Sequence, residues 1–567
     1  MPRCSGILVA LVALAACEGP PAHVADAPAS VDLVRVWRSA DATGCALAAP
    51  LVVESRGQSV VITATSDGAI IATSPTDGSE AFRIALPAPE GQNAHIAATP
   101  GIFGSRLVVA YMLRDAQNRR LSHQVVVVDL SARALDAKFP AITLAASRPG
   151  EDGAPVDFLP ANAYSRSAIP TTRPADMTYG LAYVAFGNIQ DIQPWHGWLF
   201  ELDLDAWAAG GNAQSATFLA TPESACGTPG ESGSDDMICG GGIWSPPGPT
   251  LVEHDGDFEI FVPTGNGQLD LARHDYANSV VRLGRGLVFD PACDASACTD
   301  FDPIDPARAC MASCSNLFIP RLREEDPPFA VPGGRCDGKT FFECYAILDW
   351  DLGADSVARV AVPGGSDVLV IPAKDGGVYL ADAEHLGTMH DRVQLTQVCG
   401  ANGGHCDANW AGTMVTVPVA TQVGGVPTVI IPTFMFDKTN PAGLVALQIV
   451  RDLTGTPRWQ KLWEAPRFGS SESIERFREH TGRVALVTIG GVEYATIVDP
   501  GNEHTKDGLL YLVRVSDGTI EERAALDGPG RKYTLPAVQG ETIFVESCDA
   551  EVGPGHLEAW APAPAAK

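Results

Sequence analysis

"SDGAIIATSPTDGSEAFRIAL", residues 66–86, holds an apolar run, a turn marked by Asp77-Gly78 and a second alternating run. β-Branched and apolar residues at period two make these runs strands. Asp-Gly suits the turn, because glycine reaches positive φ without steric cost. The unit returns in "AKDGGVYLADAEHLGTMHDRVQL" (373–395) and "KDGLLYLVRVSDGTIEERAAL" (506–526). Looser copies with longer loops occupy 107–135, 181–207, 259–290 and 428–450. The last copy, 541–561, lacks a closing strand, which the N-terminal "VDLVRVWRSADATG" (31–44) can supply. Self-similarity at this spacing is the mark of radial repeats. The expectation is an all-β, eight-bladed β-propeller of four-stranded antiparallel blades over residues 31–562. Two stacked β-sandwiches are the rival, and copies spread over the whole chain argue against them.

The chain has 567 residues, 46% of them hydrophobic, so a large core is available. Its formal charge of −29 repels nucleic-acid phosphates and excludes that class of partner. "MPRCSGILVALVALAAC" places Arg3 before an apolar run from Ile7 to Ala16. That run is shorter than the roughly 20 residues a spanning helix needs, and it reads as a signal peptide (1–16). Leu14-Ala15-Ala16-Cys17 resembles a bacterial lipobox, in which the Cys17 thiol takes a diacylglycerol. An ordinary signal peptidase site is the alternative. Residues 17–30 are a Pro/Ala-rich tether, and 563–567 read as an unstructured tail. Glu18, rather than Asp, follows Cys17, which favours the outer membrane over inner-membrane retention.

Fourteen cysteines agree with export. With Cys4 in the signal and Cys17 as the lipid site, twelve remain. Local pairing gives Cys226–Cys239, Cys293–Cys298, Cys310–Cys314, Cys336–Cys344 and Cys399–Cys406, and leaves Cys45–Cys548 to bridge the chain ends. Other pairings among Cys293, Cys298, Cys310 and Cys314 stay open. Zinc is the rival reading, but no Cys-x-x-Cys knuckle is present.

The unit "DGxxYxxDxxxG" resembles the repeat of the PQQ-like, or quinoprotein alcohol dehydrogenase-like, β-propellers. That family includes PQQ-dependent dehydrogenases and non-catalytic propellers, among them the lipoprotein of the outer-membrane barrel assembly machinery. "GGGIWSPPGPTLVEHDGDFEIFVPTGNG" is similar to the enzymes' segment in which a Trp floors the quinone and an Asn ligates calcium. The resemblance assigns those roles to Trp244 and Asn266. It assigns Lys374 of "PAKDGGVYLAD" to the quinone carbonyls, and Asn409 and Trp410 of "DANWAGTMVTVPVA" to the pocket wall. The roles suit the chemistry: a flat quinone stacks on an aromatic face, calcium takes oxygen donors, and a lysine stabilises charge on reduction.

Departures from that pattern are as informative. The enzymes' general base falls near Arg273; Asp270 and Asp275 are off register, and Asp275 is the candidate base. The calcium Glu is replaced by "NIQDIQPWHGW", where Asp191 stands one residue out as the candidate metal ligand beside Asn266. No vicinal Cys-Cys and no Cys-x-x-Cys-His haem motif occurs. A cysteine-rich insert at about 291–345 carries Asp300, Asp302 and Asp305, without the glycine and closing glutamate of an EF-hand. His196 and His405 fit no His-Glu-x-x-His pattern, and Ser245 lacks a Gly-x-Ser-x-Gly elbow. The expected function is an exported, lipid-anchored binding or assembly scaffold of the bacterial cell envelope, with a monomeric body and an envelope protein as partner. The alternative is a periplasmic PQQ- and calcium-dependent dehydrogenase acting on an alcohol or sugar.

Overall fold

The computed structural model describes residues 31–564, apart from 151–152, 189–191, 232–238, 255, 299–307, 325, 327–336, 349, 351, 396–415, 434–442, 467–481, 502–507 and 549–552. Among the described residues, eight antiparallel sheets of four or more strands follow one another along the chain, with two-stranded sheets at 147–157 and 269–276 beside them. The first is Leu51–Ser55, Gln58–Ala64, Ala69–Thr73 and Glu80–Ala85, paired in that order. The next six lie within 92–143, 163–219, 250–318, 358–394, 419–465 and 485–525. The eighth joins Ala537–Gln539, Thr542–Cys548 and Gly555–Pro562 to Leu33–Arg38 from the other end of the chain. The whole is an eight-bladed β-propeller.

Apolar clusters lie between neighbouring sheets all round the ring, including the eighth against the first through Trp37, Val61 and Phe544. Each sheet is therefore covered on both faces. Central strands such as Leu181–Asn188 and Val368–Pro372 are buried throughout, which is why they read as continuous apolar runs. Alternation survives in part in an outer strand such as Glu80–Ala85, where buried Ile84 stands between exposed Arg83 and Ala85.

The repeated turn glycine has a packing role. Trp37, on the outer strand of the eighth sheet, donates its indole N–H to Pro75 O at 3.0 Å. Its ring lies flat on Gly78, where a Cβ would stand 2.6 Å from Trp37 Cε3. Trp463 of the sixth sheet repeats the arrangement on the seventh, with its N–H on Val515 O at 2.8 Å and its ring on Gly518.

Cys45 and Cys548 are joined, with Cα atoms 5.5 Å apart across 503 residues, beside the strand pairing that closes the ring. Cys226 and Cys239 are joined as well. In the insert the pairing differs from the local expectation: Cys293 bonds Cys314 and Cys298 bonds Cys310, in place of Cys293–Cys298 and Cys310–Cys314. Helix Arg308–Ser313 explains it. Cys314 directly follows the helix, one turn on from Cys310, a spacing that puts Cβ atoms about 5–6 Å apart and beyond easy disulfide reach; each pairs instead with a cysteine of the preceding loop. Cys344 is disulfide-bonded. Its expected partner Cys336, and the pair Cys399 and Cys406, lie outside the described residues.

Two stability measurements follow. Gly78 has φ 74°, so Gly78→Ala adds backbone strain to a collision with Trp37 and should cost about 2 kcal/mol in urea unfolding. Gly57→Ala, at φ 72° with open space around it, isolates the strain and should cost less. Removing the ring-closing bridge by Cys45→Ala with Cys548→Ala should cost ~4 kcal/mol, as the loop it closes is so long.

Candidate functional site

In an antiparallel sheet, the segment entering the first strand and the turn between the second and third strands lie at the same end. That end carries Trp244 and Tyr533, on segments entering the fourth and eighth sheets, and Asn266 and Lys374, on turns of the fourth and fifth. Arg166 lies where the first strand of the third sheet is interrupted, between Ala163–Tyr164 and Thr171–Thr172.

Trp244 is the centre of this group. The Arg166 guanidinium sits over its ring at 4.1 Å, and the Lys374 ammonium over it at 4.8 Å. Arg166 also lies over the Tyr533 ring at 5.3 Å. The third and eighth sheets are not neighbours in the ring, so that contact crosses the axis. Arg166 Nε donates to Trp244 O at 3.2 Å, fixing the guanidinium on the indole. Arg483 donates to Tyr533 O at 2.9 Å, and burial lowers its guanidinium to about 10. On a strongly acidic chain this is a local cluster of cations held on aromatic faces.

The triple glycine before Trp244 is explained by backbone contact. Gly241 N donates to Asn266 O at 2.6 Å, and Gly265 N to Gly242 O at 2.9 Å. A Cβ on Gly240 would stand 2.2 Å from Asn266 O. Asn266 is buried in this layer. The neighbouring motif "KDGGVY" is equally structural. Asp375 accepts from Gly377 N at 2.7 Å, Tyr379 OH at 3.0 Å and Arg392 Nη2 at 2.8 Å, and so sets the turn that presents Lys374.

Asp275 lies elsewhere in its chemistry. The loop after Gly-Asn-Gly forms a small hairpin, Leu269–Asp270 with Asp275–Tyr276. There the fully buried Asp275 accepts Glu223 N at 2.9 Å and Ser224 Oγ at 2.5 Å. Both oxygens anchor the 222–226 segment. Arg273, at the position of the enzymes' base, donates to Glu223 O. Beside them a cavity of about 590 Å³ is bordered by His196, Cys226 and Arg273. His196 Nε2 is 3.4 Å from Cys226 Sγ and Nδ1 3.0 Å from Thr221 Oγ1. Burial lowers its imidazole to about 4, so it is neutral at neutral pH. Ser245 is buried, 2.8 Å from Ser356 Oγ, with no base beside it among its described contacts.

Trp244 and Lys374 are thus brought together, with Asn266 joined to the same backbone layer. Asp191, Asn409, Trp410, His405, Asp300, Asp302 and Asp305 lie outside the described residues. Sequence reading did not select Arg166, Arg483 or Tyr533, which come from connecting segments outside the repeat. The donor set fits a quinone and calcium unequally. A stacking ring and cations for an anionic planar group are present. Among the described residues, three or more Asp, Glu, His or Cys ligand atoms gather within 4.8 Å only at two cysteine-containing clusters, not around Asn266. Calcium asks for six to eight oxygens, and the described residues gather no such carboxylate set around Asn266.

Burial lifts the Asp275 carboxyl to about 6, against the opposing hydrogen bonds of Ser224 and Glu223. Unfolded, it titrates near ~3.9. Between those values the folded state holds the extra proton, so this group's contribution to stability falls as pH rises from about 4 to about 6. Asp275→Asn should remove that fall. Relative to the variant, the wild type should lose about 2 kcal/mol between pH 4.5 and pH 7 in urea unfolding.

No protein-family profile matches the chain, and no curated protein does. Among solved structures, a europium-containing methanol dehydrogenase is 12% identical, with a TM-score of 0.52, covering 93% of this chain and 93% of its own. The quinohemoprotein alcohol dehydrogenase ADHIIG from Pseudomonas putida HK5 is 10% identical (TM-score 0.49; 94% of this chain, 77% of that one). BamB from Moraxella catarrhalis is 13% identical (TM-score 0.42; 94% of this chain, 99% of that one). At these identities the likeness is one of fold alone, a β-propeller fold that this chain shares with the europium-containing methanol dehydrogenase.

Proposed function

We propose that this protein is a non-catalytic binding or assembly propeller of the bacterial cell envelope, exported and tethered by lipid on Cys17. One observation carries the reading against an oxidoreductase. Asp275, the candidate base, is fully buried with both oxygens engaged by Glu223 N and Ser224 Oγ. A general base needs a lone pair within reach of the substrate's proton. Oxidised cysteine pairs fit an oxidising compartment, and an envelope protein is the partner class this placement favours.

A second reading, a PQQ- and calcium-dependent dehydrogenase of alcohols or sugars, draws on one feature. Arg166 and Lys374 both stand over Trp244, where they would pair with an anionic planar cofactor. A titration of residues 18–567 with PQQ and Ca²⁺, followed by tryptophan fluorescence and quinone absorbance, separates the two. The scaffold reading expects no saturable binding up to high micromolar PQQ. Calcium-dependent binding lost in Trp244→Ala or Asn266→Ala would overturn it. Crosslinking in the envelope would then identify the partner of a protein that binds no quinone.

A further inference from the structure

A second site lies away from the axis, in the seam where the ring closes. On strand Thr542–Cys548, Phe544 packs against Trp37 and Val61 between the eighth and first sheets. Side chains alternate along a strand, so Glu546 takes the next place on that face. There a cavity of about 270 Å³ is bordered by Glu546, by apolar Ile71 and Leu557, and by Asp41, Asp77 and Glu80 at an exposed rim.

Glu546 is only 2% exposed, and among the described residues neither carboxyl oxygen has a hydrogen-bond partner. Arg531 is the charge that acts on it, from beyond hydrogen-bond distance. Burying a carboxyl with no partner is costly, and such groups in native proteins call for an explanation. The same cavity is lined by Thr63 and Thr73 of the first sheet, by Thr65 beside it and by His556 of the eighth. At the rim Glu80 pairs with Arg83 at 2.8 Å, and Asp41 lies 3.8 Å from His556 Nδ1. Asp41 pairs with Arg38 at 2.6 Å, and Asp77 is hydrogen-bonded to Ser79.

We propose that this cavity binds a small aliphatic diamine, with one ammonium on Glu546 and the other at the Asp77–Glu80 rim. The shape of the site selects an organic cation over a metal ion. Among the described residues, no three carboxylate or histidine ligand atoms converge here within 4.8 Å. The space far exceeds the ~30 Å³ share of one water, and its walls are partly apolar. A buried ammonium–carboxylate bond is charge-assisted and satisfies the orphaned oxygens. Burial raises the Glu546 carboxyl well above the usual carboxylate range. An ammonium seated there favours the ionised form, so binding is coupled to proton release.

Isothermal titration calorimetry on residues 18–567 at pH 7 tests this, with 1,4-diaminobutane, butylamine, butan-1-ol and calcium chloride as probes. Diaminobutane should bind saturably and more tightly than butylamine, and butan-1-ol should not bind. Runs in two buffers of different ionisation enthalpy should show net proton release on diamine binding. Glu546→Gln, whose amide matches the uncharged form in shape, should weaken binding at least tenfold and abolish the proton release. Should that variant fail to fold, Asp77→Asn with Glu80→Gln should erase the preference for diamine over monoamine. The proposal is overturned if diaminobutane gives no heat, if Glu546→Gln or the rim variant binds it unchanged, if butan-1-ol binds as well, or if calcium gives the same Glu546-dependent signal.

Discussion

Everything in this molecule depends on one strand pairing, Leu33–Arg38 against Gly555–Pro562. A propeller blade cannot bury both faces unless it has a neighbour on each side, so the ring must close for any blade to be fully covered. Closure here joins residues from opposite ends of the chain, and the Cys45–Cys548 bond lies beside it. The Arg35–Glu558 ion pair crosses the same pairing, with the carboxylate buried and the guanidinium partly exposed. Cutting the pairing would expose the apolar seams of the eighth and first sheets together.

The same geometry explains why chemistry-bearing residues are found where they are. Eight sheets pointed at one axis bring connecting segments together that are hundreds of residues apart. Trp244, Arg166, Lys374 and Tyr533 meet there because their backbones are fixed by strands, and glycines let the layers touch. The closing seam differs in kind. It is the place where two chain ends, rather than consecutive repeats, form one surface, and there Glu546 replaces the apolar residue that packing alone would favour.

Much of this was readable in the sequence, and the remainder had physical reasons not to be. The strands and turns were legible because Asp-Gly turns and β-branched runs are local signals. The 31–44 segment could be assigned to the last blade because that blade visibly lacked a strand. Cys45–Cys548 was the pair left over by local pairing of the others, and it fits that assignment. The nested Cys293–Cys314 and Cys298–Cys310 bonds did not, because they depend on a six-residue helix inside an insert with no repeat register. Trp244 and Lys374 were legible through motif likeness. Arg166 and Tyr533 were not, since a contact across the axis leaves no periodic trace. Glu546 did leave one: in "ETIFVESC" it stands two places after Phe544, on the same face of its strand.

The closing strand also sets an order of events. A chain made from its N-terminus exposes residues 33–38 long before 555–562 exist, and the gap is more than 500 residues. At synthesis rates of ~5–20 residues per second, that is roughly half a minute or more of waiting. During it, Leu33–Arg38 is an unpaired edge with Val34 and Val36 outward, the kind of template on which chains aggregate. Arg35 and Arg38 lie within that edge. Before they become partners of Glu558 and Asp527, they are gatekeepers, and their charge keeps the first strand soluble until the last one arrives.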